Sequence, residues 1–161
     1  MASDTRKVQH PPRRIGCLAL VLNTDDAVLM VKPSYKPGWI LPGGAADANQ
    51  PPHEACARQL RHETGLTLPS NADLLVVHHI PPNPNGDPTE GINIVFYAGT
   101  IDAATSITLP QPDDGEPPLS GYSWVTPAVL DDHALPYQQR RVRAALQARA
   151  TGQAAYLYET A

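Results

Sequence analysis

Several residue types are scarce in this sequence, and each shortage excludes a class of protein. The chain has two cysteines, Cys17 and Cys56, which are too few for a scaffold held together by disulfide bonds. It contains no apolar run of about 18 residues, so we expect no transmembrane helix and no membrane partner. The polar N-terminus lacks the apolar segment of a secretory signal peptide. Together these absences predict a cytoplasmic protein with reduced thiols.

Positive charge is also in short supply. The sequence has three lysines and nine arginines but 16 acidic residues, which gives a net charge of −4 and a pI near 5.8. This balance offers no broad basic surface for DNA or RNA, so we expect no nucleic-acid partner. A local basic pocket can still bind a small phosphorylated molecule. The excess of arginine over lysine, with 18 prolines, is typical of a GC-rich bacterial gene.

The pattern of apolar runs and turn residues predicts one α/β domain. Residues 1–12 are polar and predict a flexible tail, so the domain is expected to cover residues 13–161. Strands are predicted over residues 15–22, 27–32, 39–41, 74–80, 92–101, 122–125 and 154–158. Helices are predicted over residues 52–64 and 137–150, and a short helix is predicted to begin at Pro127 with Thr126 as its N-cap.

The helix over residues 52–64 has clear start and stop signals. Pro52 suits the first helical position, where its missing N–H costs nothing. Glu54 lies in the first turn, near the positive end of the helix dipole, and is spaced to pair with Arg58. Gly65 follows the last helical residue, as a C-terminal capping glycine does. We therefore expect this helix to have well-defined ends.

The segment from Gly43 to Leu66 follows the pattern G-x5-E-x7-R-E-U-x-E-E-x-G-U, in which U is a bulky aliphatic residue. The three mismatches are Gln50, Gln59 and His62, and each stands where the pattern has a glutamate. Six of the nine fixed positions match, namely Gly44, Arg58, Leu60, Glu63, Gly65 and Leu66. The segment thus resembles the Nudix box, and the chain from about residue 13 is similar to the Nudix hydrolase superfamily.

The resemblance implies both a fold and a chemistry. Members of the family have an α/β/α sandwich built on a mixed sheet, and they are often dimers, so a homodimer is an expectation here. Their box glutamates hold Mg²⁺ or Mn²⁺, which bridges a substrate diphosphate and helps to activate water. The resemblance therefore predicts a phosphoanhydride hydrolase that acts on a nucleoside diphosphate derivative or a related phosphorylated metabolite.

Helical periodicity places three box positions on one side of the helix. At 100° per residue, positions 59, 62 and 63 share an arc of about 100°. We expect Gln59, His62 and Glu63 to face one ion and to be the metal-binding and catalytic residues. The family would have three carboxylates there and this chain has one, so magnesium binding should be weak. Gln59 stands where some relatives have the general base, and an amide cannot accept a proton near neutral pH.

Other residues are candidates to supply what the box lacks. His62 is a candidate base, and Asp47 precedes the helix. Glu116, with Asp113 and Asp114, lies in the loop where some relatives have a further acidic residue. Arg58 is expected to orient its neighbours through a salt bridge.

Substrate contacts are expected just before the box. Tyr35 and Lys36 are candidates to contact a phosphate or a base. The alternative is that they belong to an ordinary exposed loop without a function in binding. Trp39 is a candidate pocket wall, with packing against the sheet as the equal alternative. Gly43 and Gly44 complete the predicted substrate-binding set.

Three functional hypotheses follow from the retained scaffold and the missing carboxylates. The first is a Nudix-type pyrophosphohydrolase with a depleted metal site and weak or altered activity. The second is a module that binds a ligand or regulates without hydrolysis. The third is a metal-independent enzyme of specialised metabolism that uses the same pocket through His62.

Overall fold

A seven-stranded mixed sheet organises the molecule, in a computed structural model that describes residues 7–102, 104–111 and 118–161. The strands are β1 (Arg14–Asn23), β2 (Val28–Pro33), β3 (Gly43–Ala45), β4 (Leu74–Ile80), β5 (Gly91–Ile101), β6 (Leu119–Val125) and β7 (Ala155–Tyr158). The helices are α1 (Pro52–Thr64), α2 (Leu130–His133) and α3 (Pro136–Thr151), with a 3₁₀ turn over Pro127–Val129.

The sheet combines parallel and antiparallel pairs. Its order is β6-β2-β1-β5-β4-β7, and the short β3 pairs with β1 beside this path. β1 runs parallel to β5 and antiparallel to β2 and β3, whereas β4 runs antiparallel to β5 and parallel to β7. Strand β1 is therefore central, and it carries β3 at the start of the box segment.

Side-chain alternation along β1 builds a core on each face of the sheet. Leu18 and Leu20 belong to the core that includes Val142 of α3, while Cys17 belongs to the core that includes Leu60 of α1. Helices thus cover both faces of a mixed sheet, and the predicted α/β/α sandwich in a single domain is confirmed. Cys17 and Cys56 are free thiols buried in the α1 core, as small apolar side chains would be.

Helix α1 covers the predicted residues, because its boundary signals are local. Pro52 opens the helix, and Gly65 takes a left-handed conformation with φ of 78° and donates its N–H to the Arg61 carbonyl. The buried face carries Ala55, Cys56 and Leu60 toward the sheet. The arc of the box residues is thereby held in a fixed orientation beside β3.

Some predicted elements are shifted in the structure. The strand expected over residues 39–41 is reduced to a single bridge between Ile40 and Val31. The paired segment lies further on, at β3, because Gly43 can approach β1 closely. It has φ of 147°, and a Cβ there would lie 2.2 Å from the Cys17 carbonyl oxygen. The Thr126 side chain makes no capping hydrogen bond at the 3₁₀ turn.

Residues 7–12 are exposed and lie outside the helices and strands. The division into a tail over residues 1–12 and a domain over residues 13–161 stays a prediction. Among the residues described here, no helix is both long enough and apolar enough to cross a membrane.

Candidate functional site

A cavity of about 310 Å³ lies between β3 and α1. We call it the box cleft and define it by the residues that line it from these two elements, which are Gly43, Gly44, Ala45, Arg58, Gln59, His62 and Glu63. Helical periodicity predicted that Gln59, His62 and Glu63 would converge, and the structure shows that they do. Their metal-binding and catalytic roles stay predictions.

Glu63 connects α1 to β3. Its side chain is only 8% exposed, and its Oε1 accepts a hydrogen bond from the Gly43 N–H at 2.9 Å. A hydrogen bond to an ionised group is worth about 1.5–3 kcal/mol. The one carboxylate that remains on the arc therefore also fixes the position of β3 against the helix.

Gln59 is packed directly under Gly44. The glutamine is buried, and a Cβ at position 44 would lie 2.8 Å from its Cδ atom. Any side chain at position 44 would force Gln59 to move. Gly44 therefore gives the amide of Gln59 its place in the wall of the cleft.

His62 carries a nitrogen without a partner. Its Nε2 is shielded from solvent and makes no hydrogen bond to the part of the chain that the structure describes. A buried polar atom without a partner costs about 1–3 kcal/mol. His62 is also one of the residues that line the box cleft.

Gln50 has a structural role. Its Oε1 accepts hydrogen bonds from the Asp47 N–H at 3.0 Å and from Arg58 Nη2 at 3.3 Å. Arg58 Nη2 also lies 3.4 Å from Asp47 Oδ2, so Arg58 pairs with Asp47. The helical spacing had predicted a pair with Glu54 instead. Asp47 supplies the charge that a glutamate at position 50 would otherwise bring to the arginine. This network shapes the turn before α1 at the rim of the cleft.

The remaining predicted residues differ in how they relate to the cleft. Tyr35 is 61% exposed and lines the cavity, and Lys36 Nζ lies 5.8 Å from the centre of the Tyr35 ring. Trp39 packs against the α3-side core, 6.2 Å from the ring of His133. Glu116, with Asp113 and Asp114, lies outside the described residues.

The described side chains around the cleft do not fit magnesium. Mg²⁺ prefers an octahedral shell of oxygen ligands with carboxylates among them, whereas the arc offers one carboxylate, one amide and one imidazole. In residues 7–102, 104–111 and 118–161, no group of three or more His, Cys, Asp or Glu side chains is placed to hold a metal ion. An imidazole is a better ligand for zinc, nickel or cobalt ions than for magnesium.

A buried polar cluster lies on the α3 face of the sheet. His78 of β4 is 0% exposed. Its Nδ1 accepts a hydrogen bond from Arg141 Nε at 3.0 Å, so its Nε2 carries the hydrogen and donates to Glu159 at 2.9 Å. Burial is the main cause that lowers the pKa of His78, which keeps the ring neutral.

Arg141 of α3 is buried, although arginine is usually exposed on a helix. Its side chain is 4% exposed, and Nη1 donates to Gln138 Oε1 at 3.1 Å. Burial lowers the pKa of Arg141 to about 10. The only sequence signal was its place beside Val142 on the buried face, because its partner His78 is 63 residues away.

The sandwich and the box cleft together define the Nudix class of fold, and comparison with known proteins agrees. The model of the NUDIX domain family matches residues 12–146. The chain therefore belongs to this family.

The relatives include hydrolases. The chain is 28% identical over 127 residues to the Bacillus subtilis protein named "Putative 8-oxo-dGTP diphosphatase". The aligned region covers 79% of this chain and 76% of that protein. A MutT NUDIX hydrolase structure from Burkholderia pseudomallei is similar with a TM-score of 0.64 and 26% identity, over 84% of this chain and 97% of that chain. The NUDIX domain of Shewanella oneidensis NrtR, complexed with ADP ribose, is similar in fold alone, with a TM-score of 0.66 and 17% identity, over 88% of this chain and 90% of that chain.

Proposed function

We propose that this protein hydrolyses a phosphoanhydride bond in a nucleoside diphosphate derivative or a related phosphorylated metabolite, and that it does so slowly. The observation that carries the proposal is the convergence of Gln59, His62 and Glu63 on one cavity beside Gly43 and Gly44. The scaffold of the box is present, while two of the three arc positions lack a carboxylate. The names of the Bacillus and Burkholderia relatives, a diphosphatase and a hydrolase, support the reaction class.

The size of the cleft suits a small phosphorylated substrate, and two cationic side chains lie in or near it. Its volume of about 310 Å³ is at the lower end of the range for small-molecule sites, which is about 300–1,000 Å³. Arg58 lines it, and Lys36 stands near its rim beside Tyr35. We assign Tyr35 and Lys36 to contacts with the phosphate or the base, and Arg58 to orienting the turn that carries Asp47.

Slow turnover follows from the composition of the arc. Gln59 is an amide and cannot take a proton from water near neutral pH, so no general base stands at that position. Magnesium lacks the carboxylates that would hold it, and we expect it to bind with millimolar or poorer affinity, about 4 kcal/mol or less. The hydrolase should therefore work well below an ordinary rate of about 1 per second.

A second candidate function is binding without hydrolysis. The observation that favours it is the structural use of the substituted residues, because Gln50 bonds Asp47 and Arg58 while Gln59 fills the space beneath Gly44. Such a cleft could hold a phosphorylated ligand and signal its presence. Metal-independent chemistry through His62 is the third candidate, favoured by its unpaired nitrogen.

The decisive experiment restores the carboxylates. The purified protein and the triple variant Gln50→Glu, Gln59→Glu and His62→Glu are screened against diphosphate substrates with and without Mg²⁺. The three positions lie around one site, so they should act as a unit and single changes should do little. We expect magnesium-dependent hydrolysis to rise well above that of the parent.

A matched control carries the same three residue changes on the surface. His53→Glu, Gln147→Glu and Gln153→Glu alter exposed residues outside the cleft, and they should leave hydrolysis unchanged. A parent that already turns over diphosphates at about 1 per second or faster would contradict the depleted site. A triple variant that folds, binds Mg²⁺ and hydrolyses nothing would favour binding without hydrolysis.

The wider setting of the proposal is also testable. We place the protein in the cytoplasm, with the functional domain over residues 13–161. A homodimer, as in many members of the family, should appear in light scattering as a mass near twice 17.3 kDa.

A further inference from the structure

We propose that two copies of this chain associate through the outer edge of strand β7, where the two strands pair antiparallel about a twofold axis at Leu157. The inference rests on the homodimer of the proposed function and deepens it, because it states where the two copies meet. It does not depend on which reaction the box cleft performs.

Strand β7 lies at one end of the sheet, and alternate backbone groups of this strand have no partner strand. It pairs with β4 on its inner side, and the described residues place no strand on its outer side. The Glu159 N–H donates to the His79 carbonyl oxygen at 3.0 Å. Successive residues of a strand direct their backbone groups to opposite sides, so Tyr156 and Tyr158 direct their N–H and C=O groups outward.

The same two residues are the most exposed aromatic residues among the tyrosines, tryptophans and phenylalanine of the described chain. Tyr156 is 68% exposed and Tyr158 is 64% exposed, and their ring centres lie 6.0 Å apart. Both rings lie on the face away from α3, because Leu157 between them packs against the α3-side core. Tyrosine is enriched among the residues that contribute most to protein–protein binding, so this edge has the composition of an interface.

A second copy fits this edge because the strand is complementary to itself. With Leu157 on the twofold axis, Tyr156 of one copy lies opposite Tyr158 of the other, and every outward N–H and C=O group of both tyrosines has a partner. A register centred on either tyrosine would pair the other tyrosine with a residue outside β7. The chosen register also places tyrosine rings opposite each other, and cross-strand aromatic pairs stabilise a sheet.

The charges near β7 are compatible with this pairing. Glu159 would lie opposite Ala155 of the other copy, and its carboxylate already bonds Arg140 and His78 of its own chain. Strand β7 contains no lysine, proline or bulge, which are the features that usually prevent edge strands from pairing. A twofold pair of identical strands closes at two copies, so we expect a dimer and no larger assembly.

Hydrogen exchange in the unmodified protein tests the backbone of this interface. The midpoint of dimer formation is found by light scattering of the full chain, and amide exchange is then followed by NMR well below and well above that concentration. Where about a tenth of the chains are monomers, the Tyr156 and Tyr158 N–H groups should exchange about tenfold more slowly than in the monomer. The exchange rate of the Tyr122 N–H, on the opposite edge strand β6, should stay the same.

Charged substitutions test the register. Tyr156→Lys combined with Tyr158→Lys, the like-charge variant, places positive charges opposite each other in both cross-strand pairs and should abolish the dimer. Tyr156→Lys combined with Tyr158→Glu, the opposite-charge variant, places unlike charges there and should retain the dimer. Tyr122→Lys is the matched control, because it changes an exposed tyrosine of β6, and it should leave dimer formation unchanged.

The outcomes separate the interface from the rest of the proposed function. A mass near 17.3 kDa at every concentration would overturn both the interface and the homodimer. A dimer that persists in the like-charge variant, or unchanged exchange at Tyr156 and Tyr158, would overturn the interface and leave the homodimer standing. A parent that dimerises through β7 and cleaves no diphosphate would contradict the proposed hydrolase while leaving this interface intact.

Discussion

Replacing His78 with glutamine should remove a specific pH dependence of stability. His78 is fully buried, with Arg141 Nε at 3.0 Å on one side and the Glu159 carboxylate at 2.9 Å on the other. Arg140 of α3 also bonds Glu159, and Asn93 of β5 donates to the His78 carbonyl oxygen. Nδ1 of His78 accepts a hydrogen bond from Arg141 Nε. Protonation of the ring would put a hydrogen on Nδ1, so two N–H donors would then point at each other. A glutamine can accept from Arg141 and donate to Glu159, yet it does not titrate.

The magnitude follows from proton linkage. The pKa of His78 in the folded protein is lowered, first by burial and then by Arg141 and Arg140, while Glu159 opposes them. The pKa of the histidine ring in the unfolded chain is about 6.5. The stabilisation is therefore complete above that pKa and is lost as the pH falls toward the folded pKa. One pH unit below 6.5 the loss is up to about 1.4 kcal/mol, which for a chain of this size is about 3–6 °C in Tm.

Urea unfolding at pH 7.5 and pH 5.5 measures this effect. The parent and the exposed-site control His53→Gln should lose the same free energy of unfolding between the two pH values, and His78→Gln should lose less by up to about 1.4 kcal/mol. Glu159 and Glu90 titrate below this window, because their hydrogen-bond partners lower their pKa values. An unchanged drop in His78→Gln would refute the assignment of the pH dependence to this ring.

Two further predictions concern the backbone and the thiols. Gly43→Ala should destabilise the fold by about 3 kcal/mol or more, because its Cβ would lie 2.8 Å from the Leu18 Cα. Gly152→Ala, which also has a positive φ but has open space around it, should cost about 1 kcal/mol in the same urea titration, and equal costs would contradict the close approach to β1. Cys17 and Cys56 should resist iodoacetamide at pH 8 in the native state, because burial raises both pKa values, that of Cys56 to about 12; mass spectrometry that finds labelling as fast as in urea would contradict their burial.

The parts of the fold that depend on neighbouring residues were predictable from the sequence. Pro52 and Gly65 bound α1 through backbone geometry alone, so the helix and the convergence of Gln59, His62 and Glu63 followed from periodicity. The strand expected over residues 39–41 was displaced because β3 forms where Gly43 permits a close approach to β1.

Contacts between residues far apart in the chain could not be predicted. The burial of Arg141 depends on His78, and the place of Trp39 depends on His133. Gln50 could be recognised as a missing glutamate, but its bonds to Asp47 and Arg58 depend on how the turn folds. Propensity and spacing describe one segment at a time, whereas these contacts are set by tertiary packing.

The turn that Gln50, Asp47 and Arg58 hold together has a consequence for protein design. The hydrogen bonds and the ion pair among these three residues use none of the arc residues Gln59, His62 and Glu63. The arc contacts the preceding segment elsewhere, through the bond between Glu63 and Gly43 and the packing of Gln59 under Gly44. Position 62 can therefore be varied without breaking the hydrogen bonds of this turn, and so can position 59 where the new side chain fits beneath Gly44. A library that varies these two positions and keeps Glu63 would sample new chemistries without having to rebuild the loop.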